Sequence, residues 1–357
     1  MQTKIAANTH AMKRWLGKAE TTLGNHSDRL NAINIFPVAD GDTGTNLYLT
    51  VRAAAAAFVD TSVFDEPVND VGAVLATAGR AAMEQARGNS GTLFAVFLCA
   101  VAEPLTGHTR LSAPLLATAL NRAQLRAWSA LSEPVPGTML SVLEAAARAA
   151  GECDTAHHRD DSNQALGLAL DAAVNAALEA VVRTEDQLAP LHAAHVVDAG
   201  GVGMLLILDC LRSAVLGEEL QGELLDGLHG YDLQDPHIHA GMPDDDGVEV
   251  MCTINLSPLA AATLRQRLDE LGDSVIMSQV GSASPVGGAA AQDDDDDDDD
   301  DDAAEISYRW RVHVHVPDAE PAVAVIRSLG DPTDISVSQL SMPRDPGLPA
   351  GQHGHES

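Results

Sequence analysis

Residues 31–46, NAINIFPVADGDTGTN, decide how the rest of the chain is read. They place Asp40 and Asp42 on either side of Gly41, followed at once by Thr43, Gly44, Thr45 and Asn46 and then by the apolar run LYLTVRAAAAAFV. Carboxylates are hard oxygen ligands of the kind Mg²⁺ prefers. A small, hydroxylated turn at a helix N-terminus presents N–H groups to anions. Acids beside an anion-binding turn repel the anion unless a cation lies between them. The stretch therefore points to a metal–phosphate site; the alternative is a solvated Asp-Gly turn with a Thr cap.

Outward from this stretch the helical period dominates. Residues 4–23 are expected to form a helix, with Ile5, Met12, Trp15 and Leu16 among its apolar positions. Further helices are expected over 44–59 and 70–86, and from the ARGNSG segment (86–91) through TLFAVFLCAVAE. The remaining helices cover 111–131, the run from PVPGT (134–138) to about 150, 163–184, and a last one opened by Asp198, Ala199, Gly200 and Gly201. That makes eight helices and no strand before residue 217. Four small or Gly-rich loops, near 42, 90, 137 and 200, each precede a helix, with one outgoing and one returning helix between successive loops. In an up-and-down bundle alternate loops share an end, so four helix N-termini are expected to meet there as a receptor for a polyphosphate.

After about 220 the texture changes. VEVMCTINL (248–256), SVIMSQV (274–280), YRWRVHVHV (308–316) and ISVSQL (335–340) read as strands, with helices at SPLAAATLRQRLDELG and PAVAVIRSL. The expected organisation is an all-α eight-helix up-and-down barrel over 1–220 and a small α+β domain over 225–342. A disordered acidic insert is expected at 281–304 and a disordered tail at 343–357.

The 357 residues carry a net charge of −31, ten units of it from the aspartates at 293–302. Nucleic acid and anionic membranes are unsuitable partners for such a chain. Cys99, Cys153, Cys210 and Cys252 show no paired spacing that would suggest a disulfide framework. The N-terminus lacks the apolar segment of a signal peptide, and no run of about 18 apolar residues suggests a membrane span. A cytoplasmic location is the expectation.

The motifs NIFPVADGDTGTN, ARGNSGTL, PVPGTMLSV and VVDAGGVG, in this order, resemble the DhaL family. That family comprises the nucleotide-binding subunit of dihydroxyacetone kinase and the N-terminal domain of bacterial fatty acid kinase. The second branch is nearer, because MCTINL, LGDSV, RVHVHV and ISVSQL resemble its middle domain. The resemblance implies a helical barrel that binds ATP or ADP at one end and a fatty-acid-binding partner protein that presents the acceptor; it allows a homodimer. It implies that Asp40 and Asp42 hold Mg²⁺, with Asn34 standing where dihydroxyacetone kinase-like members have a further acid. Thr43, Gly44, Thr45 and Asn46 would touch phosphate and nucleotide. Gly88, Asn89, Ser90 and Gly91 would cradle phosphates, Gly137, Thr138 and Met139 would border the nucleoside, and Asp198, Ala199 and Gly200 would close the pocket. His192 and His195 stand where relatives often carry Lys and Gly. The C-terminal domain of full-length fatty acid kinases has no counterpart in this sequence, which favours a nucleotide-binding regulatory or scaffold role as the alternative. A dihydroxyacetone-kinase-like enzyme with a small hydroxyl substrate is a third reading.

His313 and His315 stand two apart on one expected strand and so share a face. With Cys252 they would make three of the four ligands of a Zn²⁺ site. Against this, Cys252 shares its own strand face with Val248, Val250 and Ile254, the ordinary place for a buried cysteine. Both readings follow from the sequence.

Overall fold

A computed structural model describes residues 5–58, 69–231, 247–280, 284–285 and 306–340. Of the expected acidic insert only Ser284 and Pro285 are described, and they form a short strand, which corrects the expectation of disorder there; the aspartate run and the expected tail beyond 342 lie outside the described residues.

The first part of the chain is helical. It comprises α1 (Thr9–Ala32), α2 (Thr43–Ala56), α3 (Val71–Gln85), α4 (Gly88–Leu105), α5 (Ala113–Ala130), α6 (Met139–Ala156), α7 (Asn163–Gln187) and α9 (Ala199–Leu216). A short α8 (Ala189–Ala194) and a 3₁₀ turn at Gly222–Leu225 add to these. Sequence neighbours pack side by side from α3 to α7, and α9 packs on both α7 and α1, which closes the ring. The interior is filled by side chains, not hollow. Trp15 lies at its centre, fully buried, with its indole N–H donating to the Ile207 carbonyl at 2.9 Å and its ring edge-on to Phe97 at 6.4 Å.

The sequence reading places this helix over residues 4–23, whereas α1 begins at Thr9. It runs to Ala32. Leu23 and Leu30 continue the buried stripe at helical spacing, and Tyr48 of α2 covers the surface that Gly24 leaves open. That extra length carries Asn31 to the start of α2.

Three helices, α4, α7 and α9, are long and apolar enough to cross a membrane by length and composition, which corrects the expectation that no stretch is. Abundant Ala together with Leu and Val raises their mean hydropathy. In the fold the most apolar window of α9 is 94% buried and that of α4 78%, both covered by neighbouring helices.

The second part is an antiparallel sheet in the order β2–β4–β1–β5. Its strands are β1 (Val248–Leu256), β2 (Asp273–Gln279), β4 (Ile306–Val316) and β5 (Thr333–Gln339), with a two-residue β3 (Ser284–Pro285) paired to β4. Helices α10 (Pro258–Asp269) and α11 (Ala319–Leu329) cover one face, where Val250, Cys252, Ile254, Val312 and Val314 form the core. The opposite face looks toward the helices. Ile276 joins the helical core, Ser132 donates its N–H to the Val275 carbonyl, and Gly88 donates its N–H to Glu249 of β1.

Trp15→Ala removes both the ring packing and the buried hydrogen bond. A loss of about 3–5 kcal/mol is expected. Chemical denaturation of the two proteins measures it; a change within about 1 kcal/mol would show that the ring is not filled at Trp15.

Candidate functional site

The starts of α2, α4, α6 and α9 meet at one end of the ring, as the alternation of loops predicts. Thr43, Asn89, Ser90, Thr138, Met139, Asp198 and Gly200 line one cleft of about 330 Å³ there. Its apolar wall is Phe36, Pro37, Val38, Leu93, Leu131 and Val135, and β2 contributes Asp273 and Ser274 at the rim. A narrow second space adjoins it, lined by Asn34, Asp40, Asp42, Thr43, Gly88, Asn89, Ser90, Glu249 and His315.

Three of the four helix starts are already capped. Asn31 Oδ1 accepts from the Gly44 and Thr45 N–H groups of α2, at 2.8 and 3.1 Å. Asp198 accepts from Gly201 of α9 at 2.6 Å and also from the Met139 N–H of α6, while Thr138 caps Leu140. The expectation of four open N-termini is therefore corrected. Only α4 lacks a capping side chain and a neighbour that closes its whole first turn. Gly88 donates to Glu249 Oε1 at 3.0 Å, and the N–H groups of Asn89 and Ser90 have no acceptor among the described residues.

The structure sorts the sequence-derived residues accordingly. Thr43 faces both cavities. Gly44 packs against the Ser27 carbonyl and Leu30 of α1, and Thr45 closes on Asn31. Asn46 is buried, hydrogen-bonded to Asp42, and lies under Gly88. Gly88 has φ +60°, and a Cβ there would stand 2.3 Å from Asn46 Nδ2, so glycine is required at this contact. Gly91 packs on Thr50, Gly137 turns the chain into α6, and Ala199 is buried; none of the three lines either cavity. Asn34 is a positioning residue in this geometry: its amide donates to Asp40 Oδ1 and its carbonyl accepts from the Thr43 hydroxyl at 3.0 Å.

Asp42 is the N-cap position of α2, yet its carboxylate makes no capping bond and turns toward Asp40. Burial, then the charge of Asp42, pushes the Asp40 carboxyl up to about 8. Asp42 is raised by burial, opposed by the Asn46 hydrogen bond and reinforced by the charge of Glu249. Asn89 Oδ1 is buried without a hydrogen-bond donor. Buried, mutually repelling oxygens together with an orphaned amide oxygen fit a hard cation.

Glu249 is the functional residue that sequence reasoning missed. It pairs across the strands with His315. One carboxylate oxygen of each, or one ring nitrogen, from Glu249, His313 and His315 lies within 4.8 Å of the others. His313 is fully buried; its Nδ1 lies 3.1 Å from Glu249 Oε1, and its Nε2 has no hydrogen-bond partner among the described residues. Burial, then the neighbouring His313, drives the His315 imidazole down to about 3, so it is neutral. Burial opposes the Glu249 charge, but His313, the Ser338 hydroxyl and His315 outweigh it and hold its carboxyl at about 2. Cys252 is excluded from this set: it pairs with Val312 on the opposite face, fully buried in the sheet core. An acid alternating with Val248 and Val250 in VEVMCTINL was the available signal, since the face opposite Cys252 holds residues 249, 251 and 253.

His192 and His195 line neither cavity; Nδ1 of His195 lies 3.3 Å from Glu185.

Comparison with known proteins adds the family. Residues 37–213 match the DAK2 domain model. The chain belongs to the DhaL-type kinase family. Its DAK2 domain spans all four loops of the site. Among curated relatives, the uncharacterized proteins SAB1090 and SACOL1240 of Staphylococcus aureus (strains bovine RF122 / ET3-1 and COL) are each 27% identical over 263 residues. Each match covers 71% of this chain and 46% of the relative, so the chain spans less than half of those proteins. Among solved structures, the dihydroxyacetone kinase of C. freundii in complex with AMP-PNP and Mg²⁺ is 20% identical, with a TM-score of 0.42, over 59% of this chain and 35% of that one. Its native form gives 19%, 0.41, 60% and 36%.

The Asp40 shift has a definite sign. An ordinary carboxyl releases its proton near 3.8, whereas the folded protein keeps this one to about 8. Between those values the folded state binds more protons than the unfolded chain, so metal-free stability falls as pH rises through the window. Asp40→Asn should flatten that slope and raise metal-free stability near neutral pH. Thermal melts in chelator across the window test this; parallel slopes for the two proteins would reject it.

Proposed function

We propose that this chain is the nucleotide-binding subunit of an ATP- and Mg²⁺-dependent kinase whose acceptor is a fatty acid carboxylate presented by a separate lipid-binding protein. The observation that carries the reading is the junction of Asp40 and Asp42 with the uncapped start of α4, inside a DAK2 domain. Asp40 and Asp42 would hold Mg²⁺, which neutralises phosphate charge when bound. Asn34 fixes the Asp40 and Thr43 side chains. The free N–H groups of Asn89 and Ser90 receive phosphate oxygens, and the wall from Phe36 to Val38 with Leu93, Leu131 and Val135 takes the base. Phosphoryl transfer needs positioning and charge stabilisation more than a protein nucleophile, and the site supplies both. The fatty acid branch is favoured over a small hydroxyl acceptor by the middle-domain motifs, and a cytoplasmic, homodimeric enzyme belongs to the same reading.

A nucleotide-binding regulator without transfer activity is the second reading, since the residues of both cavities would hold nucleotide and metal whether or not transfer follows. It retains the nucleotide site and dispenses with the acceptor. The Glu249, His313 and His315 set extends either reading: two imidazoles and a carboxylate suit Zn²⁺ with one open position. Because Glu249 borders the same narrow space as Asp40 and Asp42, the two proposed metal positions are neighbours.

Asp42→Ala should abolish Mg²⁺-dependent ATP binding and leave the helical fold intact. Calorimetric titration with Mg·ATP measures it, and unchanged affinity would sink the assignment. For the second metal, elemental analysis should find close to one Zn²⁺ per chain, lost in His313→Ala and kept in Cys252→Ser. A zinc-free folded preparation, or loss of zinc in the cysteine variant, decides against the ligand set.

A further inference from the structure

One arginine of the sheet is buried without an acid. Arg311, on the face of β4 that looks toward the helices, is 6% exposed. Its Nη1 donates to Thr253 Oγ1 at 3.2 Å, and its Nε has no hydrogen-bond partner. Among the described residues no carboxylate lies within ion-pair distance of it. Burying a guanidinium is costly unless an anion or a full set of acceptors compensates, and burial lowers its pKa accordingly.

Arg311 lines a cleft of about 570 Å³ between the α3–α4 junction and the open face of the sheet. The charged residues on its walls are Arg87, Arg309 and Arg311 against Glu84, Glu249 and Asp334. The acids are accounted for elsewhere. Glu249 accepts from the Gly88 N–H and the Ser338 hydroxyl. Asp334 lies 3.9 Å from Arg309 in an exposed pair. Glu84 is exposed. With the wall charges balanced, a single negative charge is accommodated better than a dianion. The planar fork of a guanidinium matches the two oxygens of a carboxylate. Met251 and Val337 supply apolar surface beside it.

The position relative to the phosphate end is favourable. Glu249 and Ser338 line both this cleft and the space at Asp40 and Asp42. Arg311, His313 and His315 alternate along one strand face, each step about 7 Å. A group held at Arg311 therefore lies one or two steps from the residues that border the phosphates.

We propose that Arg311 is an anion-binding residue that seats the carboxylate of the phosphoryl acceptor in this cleft. Naming the ligand an acceptor rests on the kinase reading above; the carboxylate site itself does not.

The test is calorimetric titration of the full chain with octanoate, with methyl octanoate and with inorganic phosphate, each variant also being titrated with Mg·ATP. Octanoate should bind the wild type and its methyl ester should not. Arg311→Met should weaken octanoate by about 10-fold or more, the size of a lost charge-assisted hydrogen bond. Arg327→Met, exposed on α11 and outside the cleft, should stay within about 2-fold. Arg311→Lys keeps the charge without the fork and should weaken octanoate severalfold; circular dichroism melts establish that each variant is folded. Octanoate affinity that is absent in the wild type, or unchanged in a folded Arg311 variant, overturns the site. Equal binding of the ester, or a response to phosphate alone, overturns the carboxylate assignment. Failure of the wild type to bind Mg·ATP overturns the kinase reading and leaves the Arg311 comparison intact.

Discussion

Three carboxylates, Asp40, Asp42 and Glu249, converge on a narrow space with no lysine or arginine among its lining residues. Like charges in a desolvated setting cannot all ionise without a cation; Asp40 keeps its proton up to about 8, and burial raises Asp42 above its ordinary value. Much of the surrounding structure serves to hold them there. Asn34 is buried to fix Asp40, Asn46 is buried to fix Asp42, and α2 is capped by Asn31 so that Asp42 need not cap it. An N-cap aspartate released from capping loses about 1 kcal/mol of local helix stability. Asn31 restores it from the far end of α1, which is why the unbroken length of that helix bears on the chemistry.

The sheet completes the space. The carboxylate of Glu249 accepts from the Gly88 N–H at the start of α4, and its two oxygens join β1 to both the helices and β5. The side chain that closes the phosphate end therefore comes from a part of the chain with its own hydrophobic core. Movement of the sheet against the helices would alter the charge beside Asp42 directly, because Glu249 raises the Asp42 carboxyl and His313 lowers it. The charge at Asp42 and the position of the sheet are coupled by that geometry. Neither part alone offers the full donor set.

What was legible in the sequence was whatever local spacing encodes. The Asp-Gly-Asp turn, the four small-residue helix starts and the alternation of each strand all lie within a few residues of one another. The meeting of the four starts followed from bundle topology. The capping pattern was not legible, because Asn31 reaches residues 44 and 45 from a helix that reads as ending at residue 23, and Asp198 reaches Met139 across the ring. Cys252 was drawn into a metal set by residue type, although period-two alternation puts it on the valine face. Glu249 was overlooked for the converse reason: a lone acid in an apolar strand carries no motif, and its partners lie 161 residues upstream at Gly88 and 89 downstream at Ser338.

The exposed-to-helix face of β4 carries an ordered change of chemistry. Arg309 and Arg311 come first, then the two imidazoles, then the acids contributed by β1 and the α2 turn. With a cation bound at the acids, a buried guanidinium at one end and that cation at the other would each face one anion of a linear, doubly anionic assembly. Such an assembly forms when an anionic acceptor meets a nucleotide phosphate head to head. Two anions approach each other in water only against their mutual repulsion, which grows as the medium between them becomes less polar. A surface that pins each anion from behind with its own counter-charge removes most of that barrier before any bond changes. In the proposed reaction the Arg311 guanidinium on β4 and a cation held by Asp40 and Asp42 would meet that requirement from the two neighbouring spaces that Glu249 and Ser338 join.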